Sequence, residues 1–459
     1  MKRNFDEFKE YIRNKKTAVL GVGVSNRPLI DLLIKLGAKV TAFDKKTEEQ
    51  LGKVAVDLKD KNIDLVLGGD YLNKLEGYDV IFKTPSMRAD LPELLKAKES
   101  GAYITSEMEE FIRYCPAKVF GITGSDGKTT TTTLVYNMLK EEGYNTWVGG
   151  NIGTPLFARI EEIKEDDKVV LELSSFQLMT IECSIDVALI TNISPNHLDI
   201  HKDMEEYINA KKNIFKFAEE DSLLILNKDN EITNEMTKES KGKVIQFSIK
   251  DKLLNGAYYN QGDLFNGDKK ICNVSEMKLK GMHNVENLLA AFCCVSGEVS
   301  IEAMRKVAIN FSGVPHRMEF VKRVKEVDFY NDSIASSPTR TLAALKAFNK
   351  PIILIAGGYD KNISFDELAE EGYSFLKSLV LLGTTKDKIR KVFEDIMKKN
   401  NCAIPIYIVD SLEEAVEVSL KISSRGDVVS LSPACASFDM FANFEERGNK
   451  FKAIVNNIE

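Results

Sequence analysis

The sequence predicts an α/β protein with parallel sheets, and three observations carry that prediction. Short apolar runs alternate with helix-like segments over the first hundred residues. A glycine-rich turn joins an apolar run to a long helix-like segment within residues 118–139. Polar and glycine residues cluster just past the apolar runs of the last third, as a crevice at the carboxyl edge of a sheet requires. A chain of 459 residues is long enough for about three domains, each with its own core.

In chain order, the first region shows strands at 17–22, 39–43, 64–67 and 80–83, with helices near 28–36 and 92–100. That alternation implies right-handed crossovers. Gly21-Val22-Gly23 follows the first strand but lacks the third glycine of the dinucleotide fingerprint. Asp44 follows the second strand, about 20 residues on, where such folds contact a ribose or similar group. A nucleotide-containing ligand and a plain tight turn both stay open here.

The central region opens with an apolar run at 118–122, then Gly124-Ser125-Asp126-Gly127-Lys128-Thr129-Thr130, then a helix-like run to 139. Amide groups freed by the glycines can cradle phosphate oxygens, and the helix N-terminus adds its dipole. Lys128 can reach a terminal phosphate, and the Thr129 hydroxyl can ligate Mg²⁺. The spacing departs from the strict phosphate loop, because Gly121 comes one residue early and Ile122 fills the first-glycine slot. Strands follow at 169–173, 187–191 and 223–226, with a helix at 204–217. Glu172 ends the first of these, where a carboxylate can reach a phosphate-held metal. His197 stands in the loop past the second, a position suited to a ligand. Lys211, beside Lys212, has on charge alone the character of an exposed helix residue. A linker at Gly313-Val314-Pro315-His316-Arg317 leads to a third region, whose strands end at Asn331-Asp332, Gly357-Gly358, Gly383 and Ser432-Pro433.

Composition narrows the function classes. Apolar residues make up 44% and charged residues 29%, as in an ordinary globular protein. A net charge of −7 argues against non-specific binding to nucleic acid. No stretch approaches the roughly 18 apolar residues needed to cross a bilayer, and the N-terminus has no signal-like apolar core. The seven cysteines form no Cys-x-x-Cys pair and read as buried thiols of a cytoplasmic protein, and no structural zinc site is expected.

Four stretches together resemble the Mur ligases and occur in that family's order: Gly121-Ile122-Thr123-Gly124-Ser125-Asp126-Gly127-Lys128-Thr129, Leu171-Glu172-Leu173-Ser174-Ser175-Phe176-Gln177-Leu178, Gly281-Met282-His283-Asn284-Val285-Glu286-Asn287 and Pro315-His316-Arg317. Ser432-Pro433-Ala434-Cys435-Ala436-Ser437-Phe438-Asp439 and Asn443-Phe444-Glu445-Glu446-Arg447-Gly448 are similar to the C-terminal signature of the branch that adds D-glutamate. The resemblance implies a Rossmann-like UDP-binding domain at 1–114, a central P-loop ATPase-like domain at 115–312 and a Rossmann-like amino-acid-binding domain at 313–459. It implies ATP, UDP-N-acetylmuramoyl-L-alanine and D-glutamate as substrates, two Mg²⁺ ions, and a monomer that binds neither nucleic acid nor membrane.

By position, the resemblance gives Gly124 to Thr130 to the ATP phosphates, and Asn284, Asn287, Arg317 and Asp332 to the rest of ATP. Thr129, Glu172, His197 and Lys211 become metal ligands, with Lys211 converted by CO₂ to a carbamate; Lys128, Lys211, His197 and Arg317 form the catalytic set. Ser25, Asn26, Asp44, Ser86 and Asn151 fall at the UDP substrate, and Lys361, Ser437 and Phe444 at D-glutamate. One departure stands out. Ile334 occupies a position where many members carry lysine, and whether Arg340 compensates is open. Competing readings are a ligase of glutamate to folate or another acceptor, a regulatory or transport module that hydrolyses ATP, and a nicotinamide dehydrogenase resting on Gly21-Val22-Gly23 alone.

Overall fold

The computed structural model describes residues 4–23, 26–196, 200–279, 281–348, 350–360 and 364–458. The chain divides into two compact units, Met1–Phe311 and Ser312–Glu459.

The first unit opens with helix α1 (Phe5–Ile12), capped by Asn4, whose side chain accepts from the Asp6 amide. Strands β1 (Lys16–Leu20), β2 (Lys39–Asp44), β3 (Asp64–Leu67), β4 (Val80–Phe82) and β5 (Tyr103–Thr105) form a parallel sheet in the order β3-β2-β1-β4-β5. Helix α2 (Asn26–Lys35) follows β1, and helix α3 (Glu107–Tyr114) follows β5.

A nine-stranded sheet completes this unit: β6 (Lys118–Thr123), β7 (Thr146–Gly150), β8 (Lys168–Glu172), β9 (Val187–Ile190), β10 (Leu223–Asn227), β11 (Lys243–Ser248), β12 (Gly256–Asn260), β13 (Asp263–Asn266) and β14 (Lys269–Asn273). The order is β14-β13-β12-β11-β10-β9-β6-β8-β7, parallel except where β12, β13 and β14 meander antiparallel at one edge. All of β9 is buried, the near-continuous apolar run expected of a strand covered on both faces. Helix α4 (Lys128–Glu142) follows β6, α5 (Met204–Lys216) precedes β10, and α6 (Met282–Cys294) packs against α4 and β11. One apolar cluster runs through both sheets. At its centre Phe8 of α1 sits 5.3 Å from the Tyr114 ring and 5.1 Å from the Phe157 ring, centroid to centroid.

The second unit carries six strands: β15 (Glu319–Val324), β16 (Val327–Asn331), β17 (Ile352–Ala356), β18 (Leu376–Leu381), β19 (Ile406–Ile408) and β20 (Val428–Leu431). Their order is β15-β16-β20-β17-β18-β19, with β15 alone antiparallel to its neighbour. Helix α7 (Pro338–Ala347) starts on a proline, and α8 (Phe444–Asn456) is capped by Asn443, which accepts from the Glu446 amide at 2.8 Å. Two separate apolar clusters belong to this unit.

The α/β expectation holds, and the strands anticipated from the sequence all form, with ends moved by one or two residues. The strands β5, β7, β11, β15 and β19 and the meander β12–β14 were not anticipated, because three- to six-residue polar-bearing segments carry too little periodicity. Of the seven cysteines, Cys183 and Cys402 are only half-buried, the others buried, and all are free thiols.

Candidate active site

The phosphate loop takes its shape from two glycines that nothing larger could replace. Gly124 has φ 149°, and a Cβ there would lie 1.9 Å from Thr191 Oγ1. Gly127, at φ 78°, caps α4, and its Cβ would lie 2.2 Å from Asn287 Oδ1. The loop leans on the segment just past β9. The Ser125 and Asp126 amides donate to Asn192 O and Oδ1, each at 2.9 Å, and Thr191 Oγ1 donates to Asp126 O at 2.6 Å. Ser125 Oγ meets both the Ser194 amide and the Tyr207 hydroxyl at 2.9 Å. Ile122, in the slot where a strict loop has glycine, is a fully buried residue of β6. Here the strand, not the turn, occupies that position.

Lys128, the first residue of α4, turns its amino group back onto the loop, donating to Gly124 O at 2.9 Å and Ser125 O at 2.8 Å. Thr129 and Thr130 follow in the first helical turn. Charge alone marks Lys211 as an exposed lysine, and the structure corrects that reading. It is 1% exposed, and its Nζ donates to Gly124 O at 2.8 Å and Thr123 Oγ1 at 3.3 Å. Burial, and then the neighbouring charge of Lys128, pull its pKa down to about 7. Two amino groups thus converge on one loop carbonyl.

Glu172, the last residue of β8, is 2% exposed. Its Oε1 accepts from Asn151 Nδ2 at 2.8 Å, while Oε2 is buried with no hydrogen-bond partner. Leaving a carboxylate oxygen buried and unmatched is unfavourable unless something cationic completes it. With the Thr129 hydroxyl, that donor chemistry fits Mg²⁺, which takes few protein oxygens and fills its shell with phosphate and water. Among the described residues, no group of three His, Cys, Asp or Glu side chains could hold a metal alone. His197 lies outside the described residues. On the other side of α4, Thr131 Oγ1 donates to Asn287 Oδ1 at 3.3 Å, and Asn287 Nδ2 to Asn284 Oδ1 at 3.4 Å, both asparagines buried.

The first sheet brings Asn26, Asp44 and Ser86 to its carboxyl edge, past β1, β2 and β4; Ser25 lies outside the described residues. Asn26 Nδ2 donates to Leu20 O at 3.1 Å and Gly21 O at 2.8 Å, and Asp44 accepts from the Val22 and Lys46 amides at 2.9 Å each. Those two side chains fix the turn, and Ser86 is exposed beside it. In the second unit, Asp332 accepts from Ser432 Oγ at 2.6 Å and the Met318 amide at 3.1 Å, and burial pushes its pKa up to about 6. Arg317 follows His316, whose φ of 64° turns the chain sharply. Ser437 is buried, and Phe444 heads α8; Lys361 lies outside the described residues. Ile334 gives its carbonyl to Arg340 Nη1 at 3.5 Å.

Sequence reasoning missed the residues that hold these groups in place. Tyr207 grips Ser125 and lies under Lys211, whose Nζ is 4.8 Å from the ring centroid. Its signal was the i, i+4 spacing to Lys211 on one helix face. Arg447, 3% exposed, donates from Nε to Ser333 Oγ at 3.0 Å, from Nη1 to Ala436 O at 3.2 Å, and from Nη2 to Ser333 O at 2.9 Å. In the sequence it stands inside the signature stretch 443–448, with no role of its own assigned there.

A phosphate loop, two convergent lysines and a buried acid at the edge of a parallel sheet characterise a nucleotide-dependent α/β enzyme. Residues 122–295 match the Mur ligase middle domain, and residues 316–435 match the Mur ligase, glutamate ligase domain. Over 458 residues, covering 100% of both chains, the protein is 66% identical to the UDP-N-acetylmuramoylalanine--D-glutamate ligase of Clostridium kluyveri, and it is 65% identical to that of Clostridium novyi. The fold is shared with UDP-N-acetylmuramate-alanine ligase from Thermotoga maritima, at TM-score 0.53, 19% identity and coverage of 97% of this chain and 100% of that one. The protein belongs to the Mur ligase family.

Proposed function

We propose that the protein is an ATP-dependent ligase that joins D-glutamate to UDP-N-acetylmuramoyl-L-alanine, a step of peptidoglycan precursor synthesis in the cytoplasm. The observation that carries this reading is the match to D-glutamate ligases along the whole chain, through all three sheets. No described helix is long and apolar enough to cross a membrane. The reading takes the working form as a monomer.

A carboxylate is a poor electrophile, so the terminal carboxylate of the acceptor first attacks the γ-phosphorus of ATP. A P–O bond forms, the bond to ADP breaks, and an acyl phosphate results. The amine of D-glutamate then attacks the acyl carbon. A C–N bond forms through a tetrahedral intermediate, phosphate leaves, and the nitrogen gives up a proton. Loop amides and Lys128 are assigned to the phosphates, and Arg317 to the γ-phosphate. Asn284, Asn287 and Asp332 are assigned to the rest of ATP, and Thr129, Glu172, His197 and Lys211 to the metals. Bound Mg²⁺ would neutralise charge on the transferring group. Ser25, Asn26, Asp44, Ser86 and Asn151 are assigned to the UDP substrate, and Lys361, Ser437 and Phe444 to D-glutamate. Holding reactants in register supplies up to about 7–11 kcal/mol of the acceleration.

Lys211 is poised for carbamylation. With a pKa near 7, much of it is the neutral amine that can attack CO₂, forming a C–N bond and releasing a proton to water. The product exchanges a cation that repels metal for oxygens that bind it.

The test is phosphate release with ATP, the UDP-linked acceptor and D-glutamate supplied singly and together. Release should require all three, and ¹⁸O in the acceptor carboxylate should appear in the phosphate. Unlabelled phosphate would sink the acyl-phosphate route.

A further inference from the structure

The loop after β4 is joined to the head of α5 by the Arg88 guanidinium, with the Lys202 ammonium also 2.9 Å from Asp90 Oδ2. Arg88 Nε and Nη2 donate to the two oxygens of Asp90 at 2.8 Å each, which fixes the arginine on its own loop. Nη2 and Nη1 donate to the two oxygens of Glu206 at 2.7 and 3.1 Å, and Nη1 also donates to Ile200 O at 3.2 Å. All five donors of the fork have acceptors, and both carboxylates are held at two points. Exposed ion pairs contribute little on average, but a bidentate network on a half-buried arginine is the exception.

Glu206 is where this junction meets the phosphate site. It also accepts from the Lys202 amide at 2.8 Å and lies 3.5 Å from His201 Nδ1. His201 is buried, with Nε2 2.9 Å from Ser175 Oγ and its ring stacked on Phe176 at 5.3 Å. Ser175 stands three residues past Glu172. The next residue after Glu206, Tyr207, holds Ser125, and Lys211 lies about 6 Å further along the axis at 1.5 Å per residue. One end of the junction therefore carries Ser86, and the other carries the groups around the phosphate loop.

We propose that Arg88 is a positioning residue for the ligation, holding the nucleotide-sugar loop in register with the helix that bears Lys211. This rests on the reading of that loop as part of the acceptor's site. Lysine cannot replace it, because one ammonium cannot span two carboxylates and a carbonyl in a plane.

The experiment compares Arg88→Ala, Arg88→Lys, Glu206→Gln and the double variant Arg88→Ala/Glu206→Gln in the full chain, recording KM for each substrate, kcat and melting temperature. Arg88→Ala should raise KM for the UDP-linked acceptor at least tenfold while KM for ATP stays within twofold. Arg88→Lys should restore only part of the loss, and the double variant should be no worse than Arg88→Ala. An acceptor KM within twofold of the parent in Arg88→Ala, with only the melting temperature lowered, overturns the proposal. Full recovery by Arg88→Lys overturns it too. Equilibrium binding of the acceptor to the parent enzyme separates the two ideas: no binding there sinks the substrate reading itself, whereas binding that Arg88→Ala leaves unchanged sinks only the role of Arg88.

Discussion

At the scale of single residues, the site is defined by what Gly124 O receives. Two amino groups donate to it, one from the loop's own helix and one from α5. Lys128→Ala should abolish ADP formation while leaving the fold intact, as read by turnover beside circular dichroism; near-normal turnover would refute the loop assignment. Lys211→Ala should be inactive and partly rescued by acetate, an external carboxylate standing in for the carbamate. Full activity without any added carboxylate would dismiss that role. Lys128 was legible in the sequence because a phosphate loop is a local pattern, with glycine, lysine and threonine adjacent in the chain. The burial of Lys211 was not, because it depends on β6 and the loop, 87 residues away, folding over it. The same holds for Arg88 and Glu206, a pair 118 residues apart that no spacing rule connects.

At the scale of elements, α3 is unusual in burying three acids, Glu107, Glu109 and Glu110, on one short helix. Glu107 accepts from the Phe157 amide at 3.1 Å, yet burial pushes its pKa up to about 7. A folded pKa above the unfolded one means a contribution fully present below about pH 4.5 and lost as pH rises through 7. Glu107→Gln should therefore flatten the decline in stability between pH 5 and 7.5 and raise stability at pH 8 by about 3 kcal/mol at most, measured by urea unfolding. An unchanged pH profile would show that Glu107 titrates normally. Glu109, also raised to about 7, should leave part of the slope in place. Elements such as β9 and β17 were legible as unbroken apolar runs, while the meander β12–β14 was not, its strands β13 and β14 carrying no clear alternation.

At the scale of the whole molecule, the two units own separate cores. The fragment 1–311 should fold alone with a cooperative melt and bind ATP, but form no amide bond with acceptor and D-glutamate present. A fragment that melts without cooperativity would show that its core depends on the rest of the chain. Within that fragment Phe8, 1% exposed between the Tyr114 and Phe157 rings, should matter most. Phe8→Ala should lower stability by about 3–5 kcal/mol, because no neighbour can collapse into a ring-sized void.

The loop that lies between β6 and α4 is a stiff mould: its backbone is pinned from behind, and Lys128 and Lys211 donate to its carbonyls. Such a mould does not ask what the tetrahedral anion is attached to. Sulfate or inorganic phosphate in an assay buffer should therefore act as a competitor of ATP, raising its apparent KM in proportion to concentration, whereas chloride at equal ionic strength should not.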